Sequence, residues 1–281
     1  KERGASRLLV LDKATGKTED RYYRELAELL QPGDVLVLNN TQVLPARLEA
    51  QTEQGDAREL LLLEKHGQGE DHHSSLVMYR RKLRPGQTLR VGDINVTIDG
   101  VFENGTAQIS SQHDLWKLAE EQGEVPLPPY MHRREEPADR ERYQTVFAKE
   151  KGSVAAPTAS LNMTPSLLQS LEDKGVEVVE LTLHVGLGTF MPIRVEDVTK
   201  HKMHQEYFVI PTATAQAIAT AKKEGRRVIA LGTTVTRTLE YAAKAIEESV
   251  QNNGQSITGE ADIFIYPGYQ FNMVDGMLTN F

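Results

Sequence analysis

The order of apolar and polar positions changes character twice along the chain and divides it into three parts. In the first part, residues 22–30 are apolar at helical spacing and end at a Pro-Gly pair, which predicts a short helix. Residues 35–38 form a continuous apolar run that is typical of a buried strand. The polar tripeptide 39–41 interrupts this run, and residues 43–48 continue in an extended pattern. We therefore expect one helix and two extended segments here.

From residue 49 onward, short β-like runs alternate with turn signals that contain glycine. The runs cover residues 59–64, 76–79, 88–91, 95–102 and 106–110. Short strands at such regular intervals predict a small barrel or sandwich. A helix is predicted over 114–122, and the proline-rich stretch 125–130 would lead the chain back to the first part as a stiff connector.

The second half alternates strands with longer helices. Predicted strands cover 176–183, 205–210, 228–231 and 262–266, and predicted helices cover 165–174, 213–223 and 234–248. Such alternation implies a largely parallel sheet with helices packed on it. The predicted fold is therefore an α/β main domain with a mixed, largely parallel sheet, plus a smaller inserted β-barrel-like domain. We expect residues 1–48 and 146–281 to form the main domain, and residues 49–145 to form the insertion and its connector.

Composition narrows the class of protein. Of 281 residues, 39% are hydrophobic and 26% are charged, as in an ordinary globular protein, and the length suits about two domains. The chain has no cysteine and no apolar run near the ~20 residues of a transmembrane helix. We therefore expect a cytoplasmic protein without disulfides or zinc–thiolate sites. The net charge of −8 argues against non-specific coating of nucleic acid.

Positive charge is nevertheless concentrated in one third of the chain. One cluster comprises Arg80, Arg81, Lys82, Arg84 and Arg90, and a second comprises Arg133, Arg134, Arg140 and Arg142. For either cluster alone, a solvated surface is the more frequent explanation, and contact with nucleic acid is the alternative.

The segment 183–204 carries the densest candidate chemistry. It places His184, His201 and His204, two glycines and an arginine between two apolar strand-like runs. The last two histidines have a spacing that would suit metal ligands, but no carboxylate-rich partner completes a site. General acid or base catalysis is the preferred interpretation, because histidine titrates near neutral pH. A structural role at a strand end stays open for one of the three.

Glycine-containing segments supply further candidates. Gly186 and Gly188 lack the full dinucleotide-binding pattern, and the chain has no phosphate loop, which argues against kinases and ATPases. In 228–234 a strand is followed by glycine and two threonines, a junction that attracts anions unless a threonine merely caps the helix. The small residues of 152–159 would allow a ligand to approach the backbone, or form a tight loop. These residues alone predict an α/β enzyme with a polar, nucleoside-like ligand.

Several sequence blocks occur together, and in this order, in one known family. The blocks are GDVLVLNNTQVLPARL at 33–48, VPLPPY at 125–130, DRERYQTVF at 139–147, VAAPTA at 154–159, LHVGLGTF at 183–190, HKMH at 201–204, GTT at 232–234 and FIYPGY at 264–269. With them the chain resembles the S-adenosylmethionine:tRNA ribosyltransferase-isomerases of queuosine biosynthesis over almost its whole length. The resemblance is specific, because several blocks are long and unusual.

The resemblance implies an uncommon reaction. Members of this family transfer the ribosyl unit of S-adenosylmethionine to 7-aminomethyl-7-deazaguanine at the wobble position of tRNA and isomerise it there. Epoxyqueuosine is formed in the tRNA, and adenine and methionine leave. We accordingly expect no cofactor and no metal, since S-adenosylmethionine is a consumed co-substrate. The expected partners are S-adenosylmethionine and the precursor-bearing tRNA, with no membrane association and a monomeric enzyme.

The resemblance also suggests roles for individual residues. We expect His184, His204 and Asp262 to be catalytic residues near the reacting ribose. The predicted substrate-binding residues are Asn39, Thr41, Arg47, Thr158, Gly186, Gly188, Thr189, Phe190, Arg194, Gly232, Thr233 and Tyr266. The predicted tRNA-binding residues are Arg133, Arg134 and Arg142.

The chain departs from the family pattern in places. It reads SLNM at 160–163 where the family usually has Gly-Leu-His-Phe, and it has Met191 where arginine is usual. A histidine and an arginine expected near the site are therefore missing. The family pattern also extends beyond both ends of this sequence, and residues 72–81 join differently from those of other members.

Two other functions stay open at this level. One is an unrelated α/β enzyme that transfers a nucleoside or sugar to a small molecule, which would release adenine without tRNA. The other is a tRNA-binding module that no longer catalyses, which would bind tRNA without releasing adenine.

Overall fold

The computed structural model describes residues 2–63, 72–128, 133, 135–186, 204–249 and 255–280. The strands are β1 Arg7–Leu11, β2 Thr18–Tyr22, β3 Val35–Asn39, β4 Thr41–Val43, β5 Arg47–Gln51, β6 Ala57–Leu63, β7 Ser74–Arg80, β8 Thr88–Val91, β9 Ile94–Val101, β10 Thr106–Ser110, β11 Glu150–Ser153, β12 Glu177–Leu183, β13 Glu206–Ile210, β14 Val228–Leu231, β15 Ile257–Ala261 and β16 Gly276–Leu278. The helices are α1 Leu26–Leu29, α2 Leu115–Gln122, α3 Asp139–Arg142, α4 Pro165–Asp173, α5 Thr212–Lys223, α6 Thr233–Tyr241 and α7 Ala243–Glu248. None of the helices in these ranges combines the length and apolar character needed to span a bilayer.

A six-stranded sheet forms the centre of the larger part of the protein. Its strand order is β15-β13-β12-β3-β14-β16. The pairs β12–β3, β3–β14 and β14–β16 are parallel, while β13 runs antiparallel to both of its neighbours, β12 and β15. The prediction of a mixed, largely parallel sheet is therefore confirmed.

Strand β3 is apolar from Val35 to Leu38 because both of its faces are covered. Val35 and Val37 face a core to which α5 and α6 contribute. Leu36 and Leu38 face a second core that includes residues of α1 and α4. The continuous apolar run therefore reflects burial on two sides, and it places the polar residues that follow β3 at the end of a fixed central strand.

The six strands β5 to β10 close into an antiparallel barrel, in the order β10-β7-β6-β5-β8-β9. Helix α2 packs against the barrel core through Leu115, Trp116 and Leu118. The helix begins where the side chain of Asp114 accepts hydrogen bonds from the backbone N–H groups of residues 116 and 117, both at 2.9 Å. Residues 74–80 form β7, which pairs with β6 and β10 on either side. The predicted barrel is confirmed, while the domain boundaries stay a prediction.

Some predicted elements were wrong. Residues 262–266 are not a strand; the edge strand is β15, directly before them, which pairs with β13. The predicted helix 234–248 is broken at Ala242, which separates α6 from α7. The predicted helix 22–30 is a 3-10 turn, Tyr23–Glu25, followed by the short α1. The hairpin of β1 and β2 was not predicted, because its residues are mostly exposed and do not show a clear alternation of buried and exposed side chains.

Candidate active site

Several strands end or begin at one edge of the six-stranded sheet. The strands β3, β12 and β14 end there, and β15 ends there too because two antiparallel steps restore its direction. Strand β13 begins at the same edge. We call this the carboxyl edge, formed by residues 39–41, 184–186, 204–206, 232–233 and 261–262. Ligands of open α/β sheets bind beyond the carboxyl ends of the parallel strands, so this edge is the candidate site.

Asn39 joins the ends of β3 and β12. Its side chain is fully buried, and Nδ2 donates a hydrogen bond of 2.9 Å to the carbonyl of Leu183. Its Oδ1 accepts hydrogen bonds from the N–H groups of Leu183 at 3.0 Å and Thr41 at 3.2 Å. The side-chain amide thus adds hydrogen bonds between the two strands and fixes the start of the segment that carries His184.

The Thr41 hydroxyl contacts the ring of His184. The distance from Oγ1 to Nδ1 is 2.8 Å, and both residues are buried. The ring of Tyr207 lies parallel to the imidazole, with 7° between the planes and 6.4 Å between centroids. Thr41 Oγ1 also lies 3.5 Å from the carbonyl oxygen of Glu150, to which the hydroxyl can donate its single proton. In that arrangement, Oγ1 accepts a hydrogen bond from the Nδ1–H group of His184. The contact with Thr41 therefore restrains the orientation of the histidine ring.

The small-residue segment 152–159 packs against the segment that follows His184. The Ser153 hydroxyl accepts a hydrogen bond of 2.9 Å from the N–H of Val185 and donates one of 2.7 Å to the carbonyl of Ala155. The N–H of Val154 donates to the carbonyl of Val185 at 3.1 Å. Small side chains are needed here because two backbone segments of the protein itself lie close together.

Glu206 and Arg237 form a buried ion pair behind the carboxyl edge. Arg237 Nη2 lies 2.6 Å from Glu206 Oε2, and the two side chains are only 10% and 4% exposed. Glu206 Oε1 accepts a hydrogen bond of 3.1 Å from the N–H of Gly186, and Arg237 Nη2 donates one of 3.0 Å to the carbonyl of Ala261. Sequence reasoning missed both residues. Glu206 is the first residue of an otherwise mostly apolar strand and Arg237 lies within a helix rich in threonine, so in the sequence both look like ordinary solvated charges.

Gly232 begins helix α6 in a conformation that favours glycine. Its φ is +100°, it is buried, and its N–H donates to the carbonyl of Leu278 at 2.7 Å. Gly232 is the N-cap residue and supplies no side chain, so the alternative that a threonine merely caps this helix is wrong. Thr233 is exposed, and the buried Oγ1 of Thr234 has no hydrogen-bond partner among the residues that the structure describes. The first turn of α6 is therefore compatible with the anion-attracting role expected of such a junction.

Comparison with known proteins identifies the relatives of this chain. A family model described as queuosine biosynthesis protein matches residues 1–281. The chain belongs to the queuosine biosynthesis protein family. It is 50% identical to a protein of Chlorobium luteolum named S-adenosylmethionine:tRNA ribosyltransferase-isomerase, over 100% of this chain and 81% of that protein. A protein of the same name from Pelodictyon phaeoclathratiforme is 51% identical, with the same coverage of 100% and 81%.

A solved structure gives a further comparison. It is that of S-adenosylmethionine tRNA ribosyltransferase from Thermotoga maritima, with 30% sequence identity and a TM-score of 0.47. The alignment covers 99% of this chain and 78% of that one.

The three residues predicted to be catalytic in this family member all lie at the carboxyl edge. His184 directly follows β12, and Asp262 directly follows β15 and is exposed. His204 is half-buried and lies two residues before β13. Because β12, β13 and β15 are neighbours in the sheet, these residues share one side of the site. Their catalytic roles stay predictions.

Three further predicted substrate-binding residues, Thr158, Tyr266 and Arg47, lie in different parts of the fold. Thr158 is half-buried at the start of a 3-10 turn, Thr158–Asn162, and Tyr266 is 41% exposed with its ring 6.2 Å from that of Phe264. The guanidinium of Arg47 is held between barrel and connector, 3.3 Å from the carbonyl of Leu127 and 3.8 Å from Glu59. The predicted residues outside the described parts of the chain are Gly188, Thr189, Phe190, Arg194 and Arg134.

Two further sequence features bear on the site. In the departure at 160–163, Ser160 is fully buried and its Oγ has no hydrogen-bond partner among the described residues, whereas Asn162 Oδ1 accepts a hydrogen bond of 2.7 Å from Ser6. Met191 and His201 lie outside the described residues. Within the described part of the chain, no three histidine or acidic side chains converge as a metal site would require.

Two arginines of the second basic cluster, Arg133 and Arg140, are paired with carboxylates. Arg133 Nη2 binds Asp139 Oδ1 at 2.8 Å, and this hydrogen bond lowers the pKa of Asp139 to about 2. Arg140 binds Glu135 at 2.8 Å. Arg142 is exposed at the end of α3. Arg133 would therefore have to exchange its carboxylate partner for a phosphate to bind tRNA.

Proposed function

We propose that this protein is an S-adenosylmethionine:tRNA ribosyltransferase-isomerase that acts on 7-aminomethyl-7-deazaguanine at the wobble position of tRNA. It would transfer and isomerise the ribosyl unit of S-adenosylmethionine to give epoxyqueuosine in tRNA, with release of adenine and methionine. The observation that carries the proposal is about 50% identity, over the whole chain, to relatives of that name. No cofactor is proposed, because the donor is consumed.

The chemistry of the carboxyl edge supports this proposal. The sulfonium of S-adenosylmethionine acidifies the neighbouring carbon, adenine needs a proton or hydrogen bond to leave, and the attacking amine must be neutral. Histidines and carboxylates can provide such proton transfers. His184 is the best-placed candidate, since Thr41 and Tyr207 hold its ring at a strand end. His204 and Asp262 are candidates because they lie beside the ends of neighbouring strands, just before β13 and just after β15.

One reaction tests the function. The purified protein is mixed with S-adenosylmethionine and tRNA that carries the precursor base, and free adenine and the modified nucleoside are quantified by chromatography and mass spectrometry. We expect both products, and neither when the tRNA carries guanine at the wobble position. Adenine release without tRNA would indicate an enzyme for small molecules, and tRNA binding without adenine release would indicate a non-catalytic module.

Alanine variants test the catalytic residues. At saturating substrates we expect His184→Ala and His204→Ala, and likewise Asp262→Asn, to reduce turnover by about 10²–10⁴-fold, the usual contribution of general acid–base catalysis. His113→Ala, an exposed histidine of the barrel part, is the matched control and should retain full turnover. Full turnover in any of the three variants would remove that residue from the catalytic set.

The salt dependence of tRNA binding tests the basic cluster. Each lost phosphate contact should reduce the slope of log K against log salt by about 0.7–0.9. We expect this change for Arg142→Ala and for Arg133→Ala. Lys223→Ala, at an exposed residue that ends α5, is the control. An unchanged slope would place the altered arginine outside the tRNA interface.

A further inference from the structure

Among the ion pairs in the described part of the chain, Glu206 and Arg237 are the most buried, with side chains 4% and 10% exposed. Burying two charges carries a desolvation penalty of several kcal/mol per ion, and apolar side chains of similar volume are often equally stabilising. Stability alone therefore does not explain why charges occupy these positions. Their hydrogen bonds indicate a different role.

The pair connects the three segments that carry the candidate catalytic residues. Glu206 accepts from the N–H of Gly186, two residues after His184. Glu206 itself lies two residues after His204, and Arg237 donates to the carbonyl of Ala261, directly before Asp262. Glu206 and Ala261 are also register partners of β13 and β15. A single ion pair thus links three separate strand ends.

We propose that Glu206 and Arg237 are positioning residues for ribosyl transfer, which hold the segments of His184, His204 and Asp262 in register at the carboxyl edge. This inference rests on the proposed function of those segments. Both residues act through the backbone, since their contacts are with Gly186 N–H, the Ala261 carbonyl and each other. The guanidinium suits this role because one rigid group reaches a carboxylate and a carbonyl together.

Misplacement of a catalytic group by about 1 Å can reduce turnover by about 10²-fold. We therefore expect Glu206→Gln, and separately Arg237→Met, to lower kcat for adenine release by about 100-fold at saturating S-adenosylmethionine and tRNA. Rates are normalised to the folded fraction, measured by circular dichroism. A kcat within twofold of wild type for both variants would overturn the proposal.

Hydrogen exchange provides a readout that does not depend on activity. Mass spectrometry of the wild-type protein and of Glu206→Gln should show faster amide exchange in peptides covering 184–186 and 261–262, with barrel peptides unchanged. Arg237→Lys keeps the charge but loses the planar fork, and it should show the same local effect if the other variants do not fold. Unchanged exchange at 184–186 in the folded variants would overturn the proposal, even if the wild type releases no adenine and the proposed function fails.

A second ion pair, at the opposite edge of the same sheet, serves as the control; its carboxylate is as buried as that of Glu206, while its arginine is 42% exposed. Asp34, directly before β3, is buried and binds Arg227 through both carboxylate oxygens. Asp34→Asn should destabilise the sheet at its amino edge while leaving kcat of the folded protein and exchange at 184–186 unchanged. If Asp34→Asn and Glu206→Gln lowered kcat equally, Glu206 would contribute only to the stability of the sheet. That result would overturn the proposal.

Discussion

The barrel interior and the carboxyl edge of the sheet use burial in opposite ways. The barrel core is filled almost entirely by aliphatic side chains such as Leu60, Leu62 and Ile98, all fully buried. At the carboxyl edge, polar side chains such as Asn39 and Thr41 are buried to the same degree. Buried polar groups cost free energy unless they are hydrogen-bonded. The buried polar side chains of the carboxyl edge therefore hold the backbone in place in a way that stability alone does not require. Such an arrangement is expected at a functional site.

The comparison predicts the largest loss of stability in the barrel. Leu62→Ala removes a fully buried side chain from the barrel core and should lower the free energy of unfolding by about 2–5 kcal/mol. Turnover of the folded fraction should be retained, since Leu62 belongs to the barrel core and not to the carboxyl edge. Urea denaturation and normalised adenine release measure the two effects. Leu11→Ala, at a side chain 63% exposed, is the control and should change stability by no more than about 0.5 kcal/mol.

At the carboxyl edge, Asn39→Leu should affect both stability and activity. The variant leaves three backbone groups of Leu183 and Thr41 without their partner in a buried place, at roughly 1–3 kcal/mol for an unsatisfied group. We expect a loss of about 2–3 kcal/mol in urea denaturation, together with reduced turnover of the folded protein. Asn39→Asp tests the donor separately, because it retains the acceptor oxygen. Normal turnover in folded Asn39→Leu would contradict a positioning role for this amide.

Thr41→Val should produce a smaller change in stability and a clear change in activity. Valine has nearly the shape of threonine, so the variant removes little more than the hydroxyl that contacts His184 Nδ1, at about 1 kcal/mol. The ring would lose its restraint, and the pH–rate profile should shift if His184 moves a proton. Thr41→Ser keeps the hydroxyl and is the control. Identical pH–rate profiles for the valine and serine variants would exclude the contact from catalysis.

The same contrast explains what the sequence could predict. The barrel and β3 were predictable because burial imposes short regular runs or a continuous apolar run, both of which are local patterns. Residues 262–266 were wrongly predicted to be a strand, because an apolar run indicates burial but does not show that a partner strand exists. The strand that pairs with β13 is β15, directly before these residues. The Glu206–Arg237 pair could not be predicted, since its charges become buried only when separate elements meet. His184, His204 and Asp262 could be placed at one edge only once the strand order was known.

The smallest expected effect lies outside both regions, at Asp139. Its pKa is lowered to about 2 by the hydrogen bond from Arg133, against about 3.9 in an unfolded chain. A lowered folded-state pKa means that the stabilising contribution is complete above the unfolded value and is lost as the pH falls from about 4 towards 2. The difference in unfolding free energy between wild type and Asp139→Asn, measured in urea, should therefore be constant above about pH 5 and shrink at lower pH. In an Arg133→Gln background the same comparison should show a weaker pH dependence, because the largest cause of the lowered pKa is absent while the Glu136 N–H and Arg142 still act on Asp139. An unchanged pH dependence would assign it to contacts other than Arg133. Since Arg133 is one-third exposed, added salt should weaken the difference, whereas the buried Glu206–Arg237 pair should respond less.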